Sequence, residues 1–500
     1  MRGRRCLTLT RLWLHWAPLS LASMLVGCAV GPDFRTPDPP TVTSYSATPL
    51  ADQTASADVS AGQAQVFLHD RDIPAEWWTL FQNPALDALV RQALQDNQRL
   101  AQAQARLVQA QEQFGGRKGA TRYPKVDVGV SSNRINIDSD AFKTDVFGAQ
   151  FPLTLSTASV SVSYTLDLFG ANRRELEGLQ AAVDYEQFEL EAVRLMLAGN
   201  VVTAAIEEAS LREQIEQTGA AVAIEAHQLE IMEGLERIGA VPAVEVIIQR
   251  SELATTRAEL PALHERLEQT RNRLAVYLGQ PPAAAELPQF RLADLRLPSE
   301  LPLSVPSDLA RQRPDIRAAE ALLHEASARV GVATAGLYPR ITLSAQGGAI
   351  ALSPLISGTP AFALLGASIS QALFHGNELK AQKRSAVAAL DQAGAAYHDV
   401  VLSGLQNVAD TMVALDADAQ TLRDRADAAK LAATAYDVTS KQYNAGGVSL
   451  LAMLDAQRHS LTASVEQTKA IRDRFADTAA LFQALGGGWW TASASENGEK

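Results

Sequence analysis

Only two cysteines, Cys6 and Cys28, occur in the 500 residues of this chain. Cys6 falls in an N-terminal stretch that reads as a discarded signal. The processed chain then has no disulfide and no cysteine-based metal site, and packing alone must hold it together. Aromatic residues are sparse, at 6%. Ala, Leu, Gln, Glu and Arg abound instead, a mix that suits long helices packed through small side chains. After the N-terminal stretch no run of eighteen apolar residues occurs, so no transmembrane helix is expected there. Any membrane crossing has to use strands. Positive charge is also in short supply. The formal net charge is −12, and it becomes −16 once the four arginines of residues 1–27 are removed. Nucleic acid is therefore not an expected partner. Catalytic signatures are missing too: there is no HExxH, GxSxG, P-loop or GxGxxG. The eight histidines are scattered. His264-Glu265 and His324-Glu325 are neighbours on helices, where adjacent side chains point apart. They read as solvated surface or interface residues. No enzyme, no cofactor and no metal site is expected.

What the N-terminus does have is a pattern. Arg2, Arg4, Arg5 and Arg11 precede a mostly apolar stretch from Leu12 to Gly27. That stretch is short for a membrane span and has the two regions of a secretory signal. It ends in "LVGC", which resembles the bacterial lipobox. The resemblance implies cleavage before Cys28 and acylation of its sulfur and new amino group. Ala29, in place of the Asp that commonly retains such proteins at the inner membrane, implies transport to the outer membrane. The bland alternative is an ordinary buried or free cysteine. Acyl chains hold a protein at a surface because each buried methylene contributes about 0.8 kcal/mol.

An internal repeat organises the rest. "YPKVDVGVS" at Tyr123 returns as "YPRITLSAQ" at Tyr338, and "SVSYTLDLFGANRREL" from Ser161 returns loosely as "GASISQALFHGNELKA" from Gly366. "LAGNVVTAA" returns as "GLQNVADTM", and "ERIGAVPAVEV" as "YNAGGVSLLAM". Over the second half of each unit the offset is about 207 residues. Each unit reads helix, strand, loop, strand, long helix, tight turn, helix. Val160, Val162, Tyr164, Leu166 and Leu168 alternate with Ser159, Ser161, Ser163, Thr165 and Asp167. Val126, Val128 and Val130 alternate with Asp127, Gly129 and Ser131, and Ile341, Leu343 and Ala345 with Thr342, Ser344 and Gln346. Strands of about ten residues with one apolar and one polar face suit a barrel wall between lipid and water. A half-buried sheet in a soluble domain uses the same alternation.

The helices favour the barrel. From Asn172 to about Ile238 there is neither proline nor a loop signal. That is roughly 100 Å of helix at 1.5 Å per residue. Leu176, Leu179, Val183, Leu190, Val193, Leu197, Val201 and Ala204 form a coiled-coil-like seam along it. Gly376 to about Ala445 repeats the length. The returning helices, Ala243–Tyr277 and Leu450–Leu485, are about half as long, as are the preceding helices, Pro84–Phe114 and Ser307–Gly336. Two half-length helices stacked end to end would match one long helix. Four strands are too few to close a barrel, which needs about eight, so several chains must share one.

At this point the sequence resembles the TolC-like outer-membrane efflux factors, in particular the lipidated OprM/NodT-type subgroup. The matching pieces are "PAEWWTLFQNPALDALVRQAL", "RPDIRAAEALL" at Arg313, the paired "YP" strand starts, and "YNAGGVSLLAMLDAQRHSL" at Tyr443. The resemblance implies an α+β fold: a long antiparallel α-helical periplasmic tube plus a shared antiparallel transmembrane β-barrel with four strands per chain. It implies a homotrimer acting as exit duct of a tripartite pump. The partners would be a periplasmic adaptor, an inner-membrane transporter of the RND type, and outer-membrane lipid. The expected organisation is a signal peptide over 1–27, a lipidated extended arm over 28–83, a first repeat over 84–305, a second over 306–490, and a disordered tail over 491–500. A duct for type I protein secretion and a lipid-anchored periplasmic scaffold remain the alternatives; the scaffold would leave the four amphipathic strands without a purpose.

The resemblance also assigns the turns that end the long helices. Gly239, Ala240 and Val241 in the first repeat, and Gly446, Gly447 and Val448 in the second, match the family's periplasmic tip, where the duct narrows and the adaptor docks. Asp455 matches the acid that rings the constriction. Glu245 matches an acidic position after the first turn, and Tyr443 a tyrosine that ties the second hairpin to the first. Val448 stands where some members have an arginine, and Ala452 where some have a second ring acid, so the resemblance implies a closed state held by fewer polar links than in members with all of them. Taken alone, Asp455 could be a solvated helix carboxylate, and Glu245 a first-turn acid favoured by the helix dipole.

Overall fold

The computed structural model describes residues 29–47, 51–69, 71–136, 152–353 and 358–491. The expected signal peptide over 1–27, Cys28 and all of the expected tail over 491–500 except Thr491 lie outside them; Thr491 is helical, and its Oγ1 donates to Gly488 O at 2.7 Å. The chain divides into two compact units. One holds the chain to Thr36, Leu107–Tyr185 and Ala319–Tyr397; the other holds Pro37–Arg106, Glu186–Ala318 and the chain from His398 onward.

The first unit contains a four-stranded sheet of order β2-β3-β5-β6, with every neighbour antiparallel. Its strands are β2 (Lys125–Asn136), β3 (Pro152–Leu166), β5 (Arg340–Ser353) and β6 (Ala361–Ser370). Register follows the alternation. Val126 faces Val162, Val162 faces Ala345, and Ala345 faces Leu365, so one apolar row crosses all four strands. The next row is polar on three strands, with Asp127, Ser161 and Gln346, and meets Leu364 on β6; Gln346 Nε2 donates to Ser159 Oγ at 3.1 Å. Alternation puts successive residues on opposite faces, and the apolar face is bare on β2 and β6 and mostly half-buried on β3 and β5. Val128 and Val130 are 76% and 81% exposed. A soluble sheet would bury that face. Strands of up to 15 residues exceed the ten expected.

The residues after Cys28 are built into this unit. Val30 N donates to Phe169 O at 3.1 Å, and Arg174 Nη2 reaches Asp33 Oδ1 at 2.5 Å. Gly31 has φ +98°, and a Cβ there would stand 2.5 Å from Gly331 Cα, so only glycine fits this approach. Phe34 stacks on His324 at 4.2 Å, and His324 Nε2 bonds Glu177 Oε1 at 3.0 Å. His324 is thus a packed residue that holds the arm, whereas His264 is exposed as expected.

The helices are α1 (Pro84–Asp96), α2 (Gln98–Arg122), α3 (Ala171–Arg237), α4 (Ala243–Tyr277), α5 (Pro306–Gln312), α6 (Pro314–Ala335), α7 (Glu378–Asn444) and α8 (Leu450–Ala484). Helices α3 and α7 each have 67 residues, and α4 and α8 each have 35. Both the long and the returning helix of the second set start 207 positions after their counterparts, at Glu378 after Ala171 and Leu450 after Ala243. No described helix is long and apolar enough to cross a membrane.

The helices before the strands differ from expectation, because each is broken. Asn97 is extended, and its Oδ1 accepts from Arg99 N and Leu100 N, capping α2. Arg313 is extended because Pro314 disfavours helical geometry in the residue before it. Both breaks receive the end of a returning helix. Asn97 Nδ2 donates to Tyr277 O at 2.9 Å, and Arg313 Nη1 donates to Ala484 O at 2.8 Å. These bonds satisfy carbonyls that a helix end leaves open. The half-length helices therefore do meet end to end, at two matched joints.

The largely aliphatic core of the second unit also holds a cluster of aromatic residues. Trp77 stacks on Phe482 at 5.4 Å, and Phe81 lies 6.1 Å from Phe475. Full burial of such a side chain contributes about 1.5–3 kcal/mol. The arm expected to be simply extended is partly core. Strand β1 (Val66–His69) pairs in parallel with β4 (Glu300–Leu303), and Phe67 and Ile73 are buried. Arg474, fully buried, donates from Nη2 to Thr54 Oγ1 at 3.1 Å and Gln63 O at 2.5 Å. Burial pulls its guanidinium down to about 10. Beside it, burial and then the adjacent Asp477 push the Asp418 carboxyl up to about 7. Glu208 is buried too, and it accepts from Arg212, Arg271 and the Phe290 backbone at 2.6, 2.9 and 3.0 Å.

Candidate functional site at the helix turns

The two turns share one geometry. Helix α3 stops at Gly239, where φ is +76°; Gly239 N donates to Glu236 O and Ala240 N to Leu235 O. Helix α7 stops at Gly446, where φ is +77°; Gly446 N donates to Tyr443 O and Gly447 N to Gln442 O. This pair of bonds is the Schellman arrangement, which needs a left-handed residue and so selects glycine. Pro242 then opens α4, whereas Ser449 opens α8 by accepting from Ala452 N at 3.3 Å.

Beneath the turns, both hairpins share a small core. Met232 of α3 and Val246 of α4 are buried with Leu450, Met453 and Leu454 of α8, and Val241 and Tyr443 pack against them. Tyr443 and Glu245 are brought together here. Burial, and then the charge of Glu245, raise the Tyr443 phenol. Their link is packing and charge. Asp455 stands apart on the solvent side of α8. Arg458 Nη2 donates to its Oδ1 at 2.8 Å, and His459 Nε2 lies 3.6 Å from Oδ2. Sequence reasoning missed Arg458. The signal was present as an acid–base pair three residues apart on a helix. Around the turns Ile238, Val244, Ile247 and Leu451 are exposed. Among the described residues no group of three His, Cys, Asp or Glu could hold a metal ion.

The sequence model of the family described as "Outer membrane efflux protein" matches residues 89–280 and 305–487. This chain belongs to the outer membrane efflux protein family. Its similarity to individual relatives runs nearly end to end. It is 29% identical over 478 residues to the pyoverdine export outer membrane protein OpmQ of Pseudomonas putida, covering 95% of this chain and 97% of that one. It is 27% identical over 484 residues to the toluene efflux pump outer membrane protein TtgC of the same species, covering 95% and 96%. Among solved structures, the outer-membrane channel OprN superposes with a TM-score of 0.80 at 29% identity, over 92% of this chain and all of that one. The family and its relatives are transport proteins, and this chain is an outer-membrane channel component of efflux.

Proposed function

We propose that three copies of this chain close a twelve-stranded barrel in the outer membrane and that their long helices wall a periplasmic exit duct. The observation that carries this is the four-stranded sheet, whose apolar face is bare at its two edge strands, β2 and β6, and whose outer edges on those strands are unpaired among the described residues. Such edges are not tolerated in lipid unless another strand pairs with them. The cargo is a small organic molecule, the class to which the pyoverdine and toluene of the named relatives belong. A periplasmic adaptor and an inner-membrane transporter of the RND type deliver it. Acylated Cys28 adds a lipid anchor. Docking of Ala29 and Val30 beside Gly170, at the join of β3 and α3, supports it by bringing the anchor next to the strands. The turns Gly239–Val241 and Gly446–Val448, with the apolar residues around them, receive the adaptor. Asp455, Glu245 and Tyr443 form the closed aperture.

The test is extraction of outer membranes. The protein should migrate as a trimer in detergent without heating and as a monomer after boiling. Recovery of a soluble or monomeric protein under both conditions would remove the shared barrel and leave a lipid-anchored scaffold.

A further inference from the structure

The chain carries, inside itself, a template for the contact between its copies. Within each repeat the two strands pair in a common register. Val126 of β2 faces Val162 of β3, and Ile341 of β5 faces Ile369 of β6. Shifting β2 by 215 positions and β3 by 207 turns the first pairing into the second. The second shift is also the one that relates the helices, and it carries Gly170, with φ +78°, onto Asn377, with φ +68°. So β6 is the counterpart of β3, and β2 of β5. The looser sequence match that set Ser161 against Gly366 is two residues out; Ser161 corresponds to Ser368.

The two repeats also pair with each other, through β3 and β5, where Val162 faces Ala345 and Ser161 faces Gln346. The counterpart of that contact would join β6 to β2. It cannot form within one chain, because β3 and β5 stand between them. We propose that β6 pairs antiparallel with β2 of the next copy in this transposed register. This rests on the shared-barrel reading above and specifies its seam. Ser368 faces the partner subunit's Ser131, Ile369 the partner subunit's Val130, and Ser370 the partner subunit's Gly129.

Two observations agree with the seam. Ile369 and Val130 are among the barest apolar residues of the chain, 72% and 81% exposed, and the register sets them against each other on one face. A one-residue slip would set each against a residue of the opposite face. Leu373, at 91% exposed, lies three residues beyond the end of β6. Its counterpart Leu166 is the last residue of β3 and is paired with Ile341. The seam gives Leu373 the matching place, opposite the partner subunit's Val126, so β6 lengthens on assembly.

Four cysteine substitutions, combined in two ways in the full-length protein, test the register in isolated outer membranes. The matched combinations are Ser368→Cys with Ser131→Cys, and Ser370→Cys with Gly129→Cys. The crossed combinations are Ser368→Cys with Gly129→Cys, and Ser370→Cys with Ser131→Cys. Facing residues on antiparallel strands have Cα atoms about 4.5–5.5 Å apart, within disulfide reach, which ends near 6.8 Å. Diagonal neighbours are about 7–8 Å apart. Within one chain the two positions are at least three strand spacings, about 14 Å, apart, and they are further offset along the strands, since Ser368 lines up with Thr165 of β3 and Ser131 with Thr157, so any disulfide must join two copies. Under mild oxidation the matched pairs should yield covalent dimers and trimers on non-reducing gels after boiling, and the crossed pairs should lose that ladder. Every substitution appears in both arms, so a folding defect cannot mimic the difference. A ladder from the crossed pairs alone overturns the register and keeps the barrel. No ladder from any pair, with heat-modifiable trimers intact, overturns the β6–β2 seam. Loss of the trimer in the unsubstituted protein overturns the shared barrel itself.

Discussion

Asp455 and its neighbour Arg458 oppose each other. In the proposed aperture three copies of Asp455 would attract cations and repel anions. Each already holds Arg458 at 2.8 Å, so its field is partly cancelled. Asp455→Ala should lower cation selectivity and weaken block by divalent ions in single-channel recordings, and Arg458→Ala should raise both. If neither change alters selectivity, Asp455 is a solvated helix carboxylate. Asp418 offers a second measurement. It faces Asp477, Asp473 and Arg474, all on α8. A carboxyl whose titration is raised on folding stabilises the fold while protonated and loses that contribution as pH rises through about 7. The protein should therefore melt at a higher temperature at pH 6 than at pH 8. Asp418→Asn, which cannot ionise, should flatten the difference; an unchanged pH dependence would show that the pair does not titrate there. Neither Arg458 nor Asp418 stood out in the sequence, because an acid's behaviour depends on what faces it.

Strands and long helices were legible because their periods are strong and local. Alternation from Ser159 to Leu168 announced a two-faced strand, and β3 covers it as far as Leu166. The long helices end within two residues of expectation, because Gly239 and Gly446 are visible as stops. The breaks at Asn97 and Arg313 were missed because apolar spacing runs on across them. Only a capping Asn and the Arg-Pro step marked the interruption. The β1–β4 pair was illegible for another reason: two four-residue strands more than two hundred positions apart carry no pattern of their own. Faces of the barrel strands can be separated by charge. Val162→Arg should destabilise the membrane-inserted state by about 2–4 kcal/mol, the cost of Arg near mid-bilayer on a barrel. Ser161→Arg, on the water side, should be tolerated. Trimer yield at increasing denaturant would read the difference, and equal sensitivity on both faces would argue against a lipid-facing row.

The assembled molecule should be held at the membrane twice, by a barrel and by a lipid. The two are separable. Cys28→Ser should abolish incorporation of labelled palmitate while leaving heat-modifiable trimers in the outer membrane. Ala29 to Phe34 should stay in place, because Gly31, Asp33 and Phe34 hold them to the protein. Export should fall only in part. An unmodified thiol at Cys28 in the mature protein would remove the lipid and leave the barrel as sole anchor.

The equal lengths of the two helical hairpins, 67 and 35 residues in each repeat, bear on how such a chain can change through descent. A single residue inserted in α3 would turn every side chain beyond it by about 100° and advance the rest by about 1.5 Å. The turn at Gly239 would leave the shared core under Tyr443, and α4 would miss its joint at Asn97. A substitution has no such reach. The letters of the two hairpins have drifted far apart while their number has stayed the same. Insertions and deletions among relatives should accordingly gather in the linker between α4 and β4, and should be rare inside the four long helices unless they come in matched pairs.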